Sequence, residues 1–100
     1  MSFAALLGDT CQIERYAGEG TRGPRYDPPA EQPCRYEDTV EMVRDATGVE
    51  VLSTGLLFLL PTAAITAQSR VTVAGRATTA IAVAAVRGSA GVHHFEVRLR

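Results

Sequence analysis

Apolar and polar residues alternate most clearly near the end of the chain, in the run Val92–Leu99. Phe95, Val97 and Leu99 fall on one side of this run, and its charged residues fall on the other. A period of two with one apolar side is typical of a half-buried β-strand. The run therefore predicts a strand whose Phe95 side faces the core.

Two further β-type runs, Val71–Val73 and Ala77–Val86, precede this strand. The three-residue connection Ala74–Arg76 separates them, and its glycine can adopt the positive φ that hairpins need. A second break that contains glycine, Arg87–Gly91, leads into the last strand. The three runs predict an antiparallel, three-stranded meander at the C-terminus.

The first half of the chain contains another pair of predicted strands, Asp9–Tyr16 and Glu31–Tyr36. Between them, residues 17–29 are rich in glycine and proline, which predicts a long hairpin loop. Symmetric pairing about this loop places Cys11 opposite Cys34 on one face.

The two cysteines are interpreted as small, buried apolar residues. A disulfide between them is disfavoured in a reducing cytosol. A zinc site formed with His93 and His94 is the alternative, but no CxxC or HxxxH spacing supports it, and adjacent strand residues point to opposite faces. We expect no metal site, with His94 facing solvent and His93 at the edge of the core.

The segment Glu37–Glu50 is unusually acidic, with five carboxylates against the single Arg44 and a local net charge of −4. Asp38 and Glu41 have the spacing of a helix capping box, and Gly48 suits a helix C-cap. The pattern predicts either a short helix of about two turns or a solvated surface loop. Exposed loops often carry function, so this segment is also a candidate mobile loop.

The remaining segments complete a picture of about six strands. Val51–Leu60 is predicted to be a strand, and its apolar run Leu56–Leu60 indicates that both faces are covered, in part by a neighbouring subunit. Met1–Gly8 is predicted to be a short helical turn or a flexible arm. The predicted fold class is mainly β: one domain, residues 1–100, forming a small antiparallel β-barrel or sandwich.

The amino-acid composition limits the classes of function that we expect for this protein. Apolar residues make up 46% of the chain, which is enough for a folded core. The net charge of −1 lacks the basic excess of a general nucleic-acid binder. No secretion signal is recognisable, and the apolar stretch Val51–Ala67 has too many hydroxyl, Gly and Pro residues for a membrane span. We expect a soluble protein made in the cytoplasm.

The sequence contains no recognised catalytic or nucleotide-binding motif. The serines lack a nucleophile-elbow context, and neither a Walker A sequence nor a G-x-G-x-x-G opening a helix is present. Arg22 and Arg25 in the long loop form a weak basic patch that could contact phosphates. We therefore expect no enzymatic activity and no cofactor.

The order of several short motifs nevertheless resembles a known family. The chain begins with D-T-C-x-I-x-R, followed by a Gly/Pro-rich hairpin loop, P-C-R, and a strand that ends at Leu57–Pro61. It closes with R-V-x-V-x-G-R at Arg70–Arg76, a V-x-x-V strand at Val83–Val86, and G-x-H-H-x-E-V-x-L-R at Gly91–Arg100. In this order the chain resembles the head-closure, or stopper, proteins of tailed bacteriophages with long non-contractile tails.

The resemblance implies a small β-barrel that assembles, in 12 or 6 copies, as a ring in the head-tail connector. Such a ring lies below the portal and adaptor rings and receives the tail, through a tail-completion or terminator protein, on its opposite face. An internal loop of each subunit projects into the channel and helps to retain packaged double-stranded DNA. The implied location is the virion, after assembly in the host cytoplasm and without membrane contact.

The family's channel loop, placed on this chain, corresponds to residues 37–55. A ring would multiply the local charge into a negative constriction that repels DNA phosphates. The long loop, residues 17–29, is a candidate for docking on an adjacent ring. The implied channel-loop residues are Glu37, Asp38, Glu41, Arg44, Asp45 and Glu50, and the implied docking residues are Arg22, Arg25 and Tyr26.

Two alternatives remain open on the sequence. The first is another virion ring component, such as a different connector protein or a tail terminator. The second is a monomeric small β-barrel module that binds nucleic acid or a peptide.

Overall fold

Six antiparallel strands close into one barrel in the computed structural model, which describes residues 3–100. The predicted mainly β fold with a barrel of about six strands is therefore confirmed. The barrel order is β1-β4-β5-β8-β7-β6, and β2 and β3 form a separate two-stranded sheet. The strands are β1 (Asp9–Glu14), β2 (Tyr16–Gly20), β3 (Gly23–Tyr26), β4 (Ala30–Arg44), β5 (Glu50–Leu59), β6 (Arg70–Val73), β7 (Arg76–Gly88) and β8 (Gly91–Leu99).

The predicted C-terminal meander is present as β6, β7 and β8, which pair in sequence order. Its first turn differs from the prediction because Val73 pairs directly with Arg76, so the connection has two residues and not three. Ala74 and Gly75 both have positive φ, at 51° and 73°. This is the geometry of a type I′ turn, whose twist matches that of the flanking strands.

The core lies inside the barrel and consists of inward-facing residues of the barrel strands together with Ala63 and Ile65 from the connection between β5 and β6. Leu57, Leu59, Val97 and Leu99 are 0% exposed, and Phe95 packs against them. The alternation of β8 therefore faces the core as predicted. β5 alternates in the same way, with Leu56 and Phe58 half-buried on its outer face. Coverage of that outer face by a neighbouring subunit stays a prediction.

The two cysteines meet in this core, although their register differs from the prediction. Cys34 pairs with Asp9 and Cys11 pairs with Gln32, so the cysteines are diagonal neighbours and not directly opposite. Both are buried free thiols. The hydrogen bond with Cys34, together with burial, holds the pKa of the Cys11 thiol well above its usual range. Both cysteines are therefore small, buried core residues, as interpreted.

The Gly/Pro-rich segment is more regular than a loop. β2 and β3 pair between Tyr16 and Tyr26, so most of residues 17–29 form a β-hairpin. The hairpin is fixed at its base, where the Tyr16 backbone N–H donates to Ser69 Oγ at 3.0 Å. Glycine and proline residues lie at the ends of β2 and β3 and are typical of turns, so the sequence pattern did not indicate these two short strands.

The N-terminal residues Phe3–Leu6 form a 3₁₀ turn on the outside of the barrel, and the prediction for Met1 and Ser2 lies outside the described residues. Phe3 stacks on the His94 ring at 4.6 Å. The His94 side chain is only 12% exposed, and it bonds Glu96 at 2.9 Å. The histidine prediction is thus reversed: His93 is exposed and His94 is covered, because the N-terminal turn packs on the outer face.

Candidate functional site: the β4–β5 arm

The acidic segment predicted as a helix or loop is the far part of a long β-hairpin. β4 runs without a break to Arg44, and β5 begins at Glu50. β1 flanks β4 only as far as Cys34, and β8 flanks β5 only as far as Gly55. Beyond these points the two strands pair only with each other, so residues 37–55, here called the arm, extend past the barrel wall.

The helix prediction is wrong because cross-strand pairing outweighs local helix signals. The segment Thr39–Val43 contains β-branched residues, and it lies along a partner strand, β5. An isolated helix of eight residues is marginal in water. The Asp38–Glu41 spacing, interpreted as a capping box, instead spans a β-bulge, since these residues pair with Gly55 and Ser53.

The base of the arm is a tight joint between Tyr36 and Gly55. A Cβ on Gly55 would lie 2.7 Å from Tyr36 Cε1, so only glycine leaves room for the ring. The Tyr36 hydroxyl donates to Asp38 at 2.8 Å and accepts from Arg76 Nη1 at 2.9 Å. Partial burial and the Asp38 contact raise the pKa of Tyr36, which keeps the hydroxyl a donor.

The carboxylates of the arm are largely matched by arginines, three of which come from outside the acidic segment. Arg35 lies 3.2 Å from Glu37, Arg76 lies 3.3 Å from Asp38, and Arg98 lies 3.0 Å from Glu41. Arg44 lies 4.0 Å from Glu50 within the arm. The local charge of −4 counted along the sequence is therefore strongly offset in three dimensions.

Asp45 organises the turn at the tip. Its carboxylate accepts hydrogen bonds from the Thr47 hydroxyl and from the backbone N–H groups of Thr47 and Val49. The Thr47 side chain is the main cause that holds the pKa of Asp45 below its usual value, with the backbone donors and Arg100 adding to the effect. Gly48, predicted to cap a helix, instead supplies the positive φ of this turn, at 85°.

The arm also exposes apolar side chains that the sequence interpretation had missed. Four of the five exposed large hydrophobic residues among residues 3–100 lie here, and Val40 is the most exposed at 75%. Met42 and Leu52 are direct cross-strand partners. Reading Val40, Met42 and Leu52 with a period of two would have revealed this stripe. The exposed set on the arm is Val40, Met42, Val49 and Leu52.

The predicted docking residues lie on the β2–β3 hairpin, apart from the arm. Arg22 occupies its exposed turn, and Arg25 folds over Gly20. Tyr26 is half-buried at the base, where the Arg70 guanidinium stacks over its ring at 3.7 Å. The structure thus groups Arg22 with Arg25 but gives Tyr26 a structural contact of its own.

The four residues of the alternative zinc site do not come together. Cys11 and Cys34 lie inside the barrel, whereas His94 packs under Phe3 on the outside. Among residues 3–100, no group of three or more His, Cys, Asp or Glu side chains is arranged to hold a metal ion. The same residues include no helix long and apolar enough to cross a membrane.

Comparison with protein-family models, with curated proteins and with solved structures finds no match to this chain. The functional argument therefore depends on the sequence motifs and on the geometry of the arm.

Proposed function

We propose that this chain is a structural, non-enzymatic component of a bacteriophage virion, assembled as a ring in the head-tail connector. In this proposal the ring closes the portal channel after DNA packaging and offers its other face to the tail. Its partners are further copies of itself, the adaptor ring, a tail-completion or terminator protein, and the packaged double-stranded DNA.

The observation that carries the proposal is the arm. The segment selected by the family resemblance is the part of β4 and β5 that leaves the barrel wall. Its four outer residue pairs, from Glu41–Ser53 to Arg44–Glu50, span about 10 Å at the usual rise per residue. A small barrel with a hairpin that continues past the wall suits a ring subunit that narrows a central channel.

The structure changes the mechanism expected for this arm. Because scaffold arginines offset the carboxylates, repulsion of DNA phosphates is weaker than the local sequence charge implies. Asp38 nevertheless keeps a side chain that is 79% exposed, and the apolar stripe remains uncovered. In the proposal, arms obstruct the channel sterically and meet through Val40, Met42 and Leu52, while their exposed carboxylates keep DNA off the wall.

Shortening the arm tests the proposal. Replacing residues 42–52 with Asn-Gly keeps the Glu41–Ser53 pair and provides a type I′ turn. We expect virions that assemble the protein normally but lose their DNA, measured as the fraction of filled capsids by cryo-microscopy. The control, Met42→Thr with Leu52→Thr, keeps the arm length and separates steric closure from apolar contact.

Filled, stable virions with the shortened arm would contradict the gating role. Absence of the wild-type protein from virions would contradict the connector role as a whole. If the wild-type protein is missing from virions but binds single-stranded DNA through Arg22 and Arg25, the result would support the alternative of a monomeric nucleic-acid module.

A further inference from the structure

Strand β7 has an open edge. β6 pairs with β7 only over Arg76–Thr79, and Ala80 makes the last backbone contacts on that side, with Gln68 and Ser69. Within residues 3–100, no strand pairs with the same side of Ile81–Gly88, and β8 occupies the other side. This stretch of β7 therefore carries backbone groups that can accept another strand.

The hydrogen-bond pattern shows which groups face the open side. Thr79 and Arg100 exchange both backbone hydrogen bonds at 3.0 Å. Along an antiparallel ladder, hydrogen-bonded pairs alternate with non-hydrogen-bonded pairs. Every second residue of β8, counted from Arg100, therefore forms hydrogen bonds with β7. By this count Ala84 and Glu96 are a hydrogen-bonded pair. Val83 and Ala85 accordingly direct their N–H and C=O groups to the open side.

This edge lacks the usual protection against strand pairing. The stretch Ile81–Gly88 contains no proline, no lysine and no carboxylate, and Arg87 is its one charged residue. Bulges occur at both ends, at Ala80–Ala82 and Val86–Arg87, and leave regular pairing with β8 between them. Natural edge strands are normally blocked by charge, proline or bulges. Only the stretch Ala82–Val86, between the two bulges, has none of these, so this stretch is suited to receive a strand.

The same chain has a second open edge on β4. β1 ends its pairing at Asp9–Cys34, and the Tyr36 N–H on that side donates to the Asp9 carboxylate at 3.0 Å. Among residues 3–100, no strand flanks that side of Thr39–Arg44. The edge carries the exposed apolar residues Val40 and Met42 together with exposed carboxylates. β7 carries the complementary features, since Ala84 and Ala85 are small and exposed and Arg87 is cationic.

We propose that the open edge of β7 in one copy pairs with the open edge of β4 in the next copy. The pairing supplies backbone hydrogen bonds and covers the apolar residues of both strands. It also brings Arg87 to an edge whose exposed carboxylates, Asp38 and Glu41, each already have one arginine partner. Because the two edges differ, the contact is head-to-tail, and such contacts form a ring when their rotation closes. The ring in which this contact would operate is that of the proposed function.

A proline placed at Ala85 tests the backbone contact directly. The Ala85 N–H points to the open edge and does not bond β8. Ala85→Pro therefore removes no hydrogen bond within the monomer. Ala85→Thr is the matched control, because it adds a side chain and keeps the N–H. We expect the proline variant to weaken self-association at least about tenfold, and the threonine variant to change it little.

The measurement is sedimentation equilibrium of the full chain over a concentration series, with thermal unfolding as the check that each variant folds. Equal association of wild type and Ala85→Pro would overturn the inference, as would a wild type that stays monomeric throughout. An equal loss of self-association in Ala85→Thr would also overturn the inference, because a side-chain clash would then explain the result for both variants.

Cross-linking identifies the partner strand and remains informative if the proline variant unfolds. Ala85→Cys is mixed with Val40→Cys or Met42→Cys and treated with oxidised glutathione, which is reduced as each intermolecular disulfide forms. We expect heterodimers with at least one β4 variant and none above background with Arg22→Cys. Cys11 and Cys34 are buried and stay unreactive.

The outcomes separate this inference from the proposed function. Rings in virions without any β7–β4 cross-link would overturn the edge contact and leave the connector role standing. A specific cross-link in a protein that is absent from virions would support the edge contact and contradict the connector role.

Discussion

The barrel wall and the arm share two strands, β4 and β5, yet the outward-facing residues of the two regions differ in burial. On the outer face of β5, Leu56 is half-buried whereas Leu52, further towards the tip, is 47% exposed. The difference comes from the neighbouring strands, since β8 flanks Leu56 and stops at Gly55. Whether an outward-facing apolar residue is covered or exposed is decided here by which strands lie beside it.

The barrel wall and the arm also differ in what stabilises them. The wall buries apolar side chains on one continuous inner surface, which is the main source of folding free energy. The arm is held by cross-strand pairing and by exposed ion pairs, which individually contribute little. Substitutions on its surface should therefore change the free energy of unfolding little.

The largest expected effect comes from truncating the same residue type in the two regions. Leu57→Ala opens a cavity in the closed core and should lower the free energy of unfolding by about 2–5 kcal/mol. Leu52→Ala removes an exposed side chain and should change it by roughly 0.5 kcal/mol or less. Urea unfolding followed by circular dichroism measures both. A comparable loss in the two variants would show that the arm's apolar stripe is buried in the folded protein.

A smaller effect is expected at the joint between the two regions. Gly55→Ala drives a methyl group into the Tyr36 ring, whose Cε1 would lie 2.7 Å away. We expect a loss of about 1–3 kcal/mol in the free energy of unfolding, typical of overpacking. Gly8→Ala is the control, because a Cβ there meets nothing within 4 Å. Equal stability of the two variants would mean that Tyr36 moves aside freely, and the joint would not be rigid.

The sequence predicts the wall better than the arm for the same physical reason. Period-two alternation with one buried side is visible in β8, and it correctly assigns Val97 and Leu99 to the core. On the arm the usual alternation is inverted, since the polar Ser53 is 0% exposed whereas the apolar Leu52 is 47% exposed. The Asp38–Glu41 and Gly48 signals also favour a helix. Its neutralising arginines, Arg76 and Arg98, are distant in sequence, so no local pattern indicates them.

The strand register and the β2–β3 hairpin also could not be predicted from the sequence. Symmetric pairing about the Gly/Pro-rich segment puts Cys11 opposite Cys34, but the β2–β3 hairpin shifts the true partner of Cys34 to Asp9. The cysteines still touch, because a shift of two residues keeps both side chains on the inner face. A shift of one would have placed one of them outside the barrel.

The smallest expected effect is confined to the tip of the arm and depends on pH. Hydrogen bonds from Thr47 and Val49 hold the pKa of Asp45 below its usual value of 3.8. A carboxyl with a lowered folded-state pKa stabilises the turn at pH values above 3.8, and this stabilisation is lost as pH falls through the lowered pKa. NMR amide shifts of Thr47 and Val49 should therefore move only in strong acid, while barrel amides such as that of Leu57 stay unchanged. In Asp45→Asn the acid transition at the tip should disappear. A tip that titrates at or above 3.8 would show that the turn does not hold the ionised carboxylate, and that the arm ends in a loose loop.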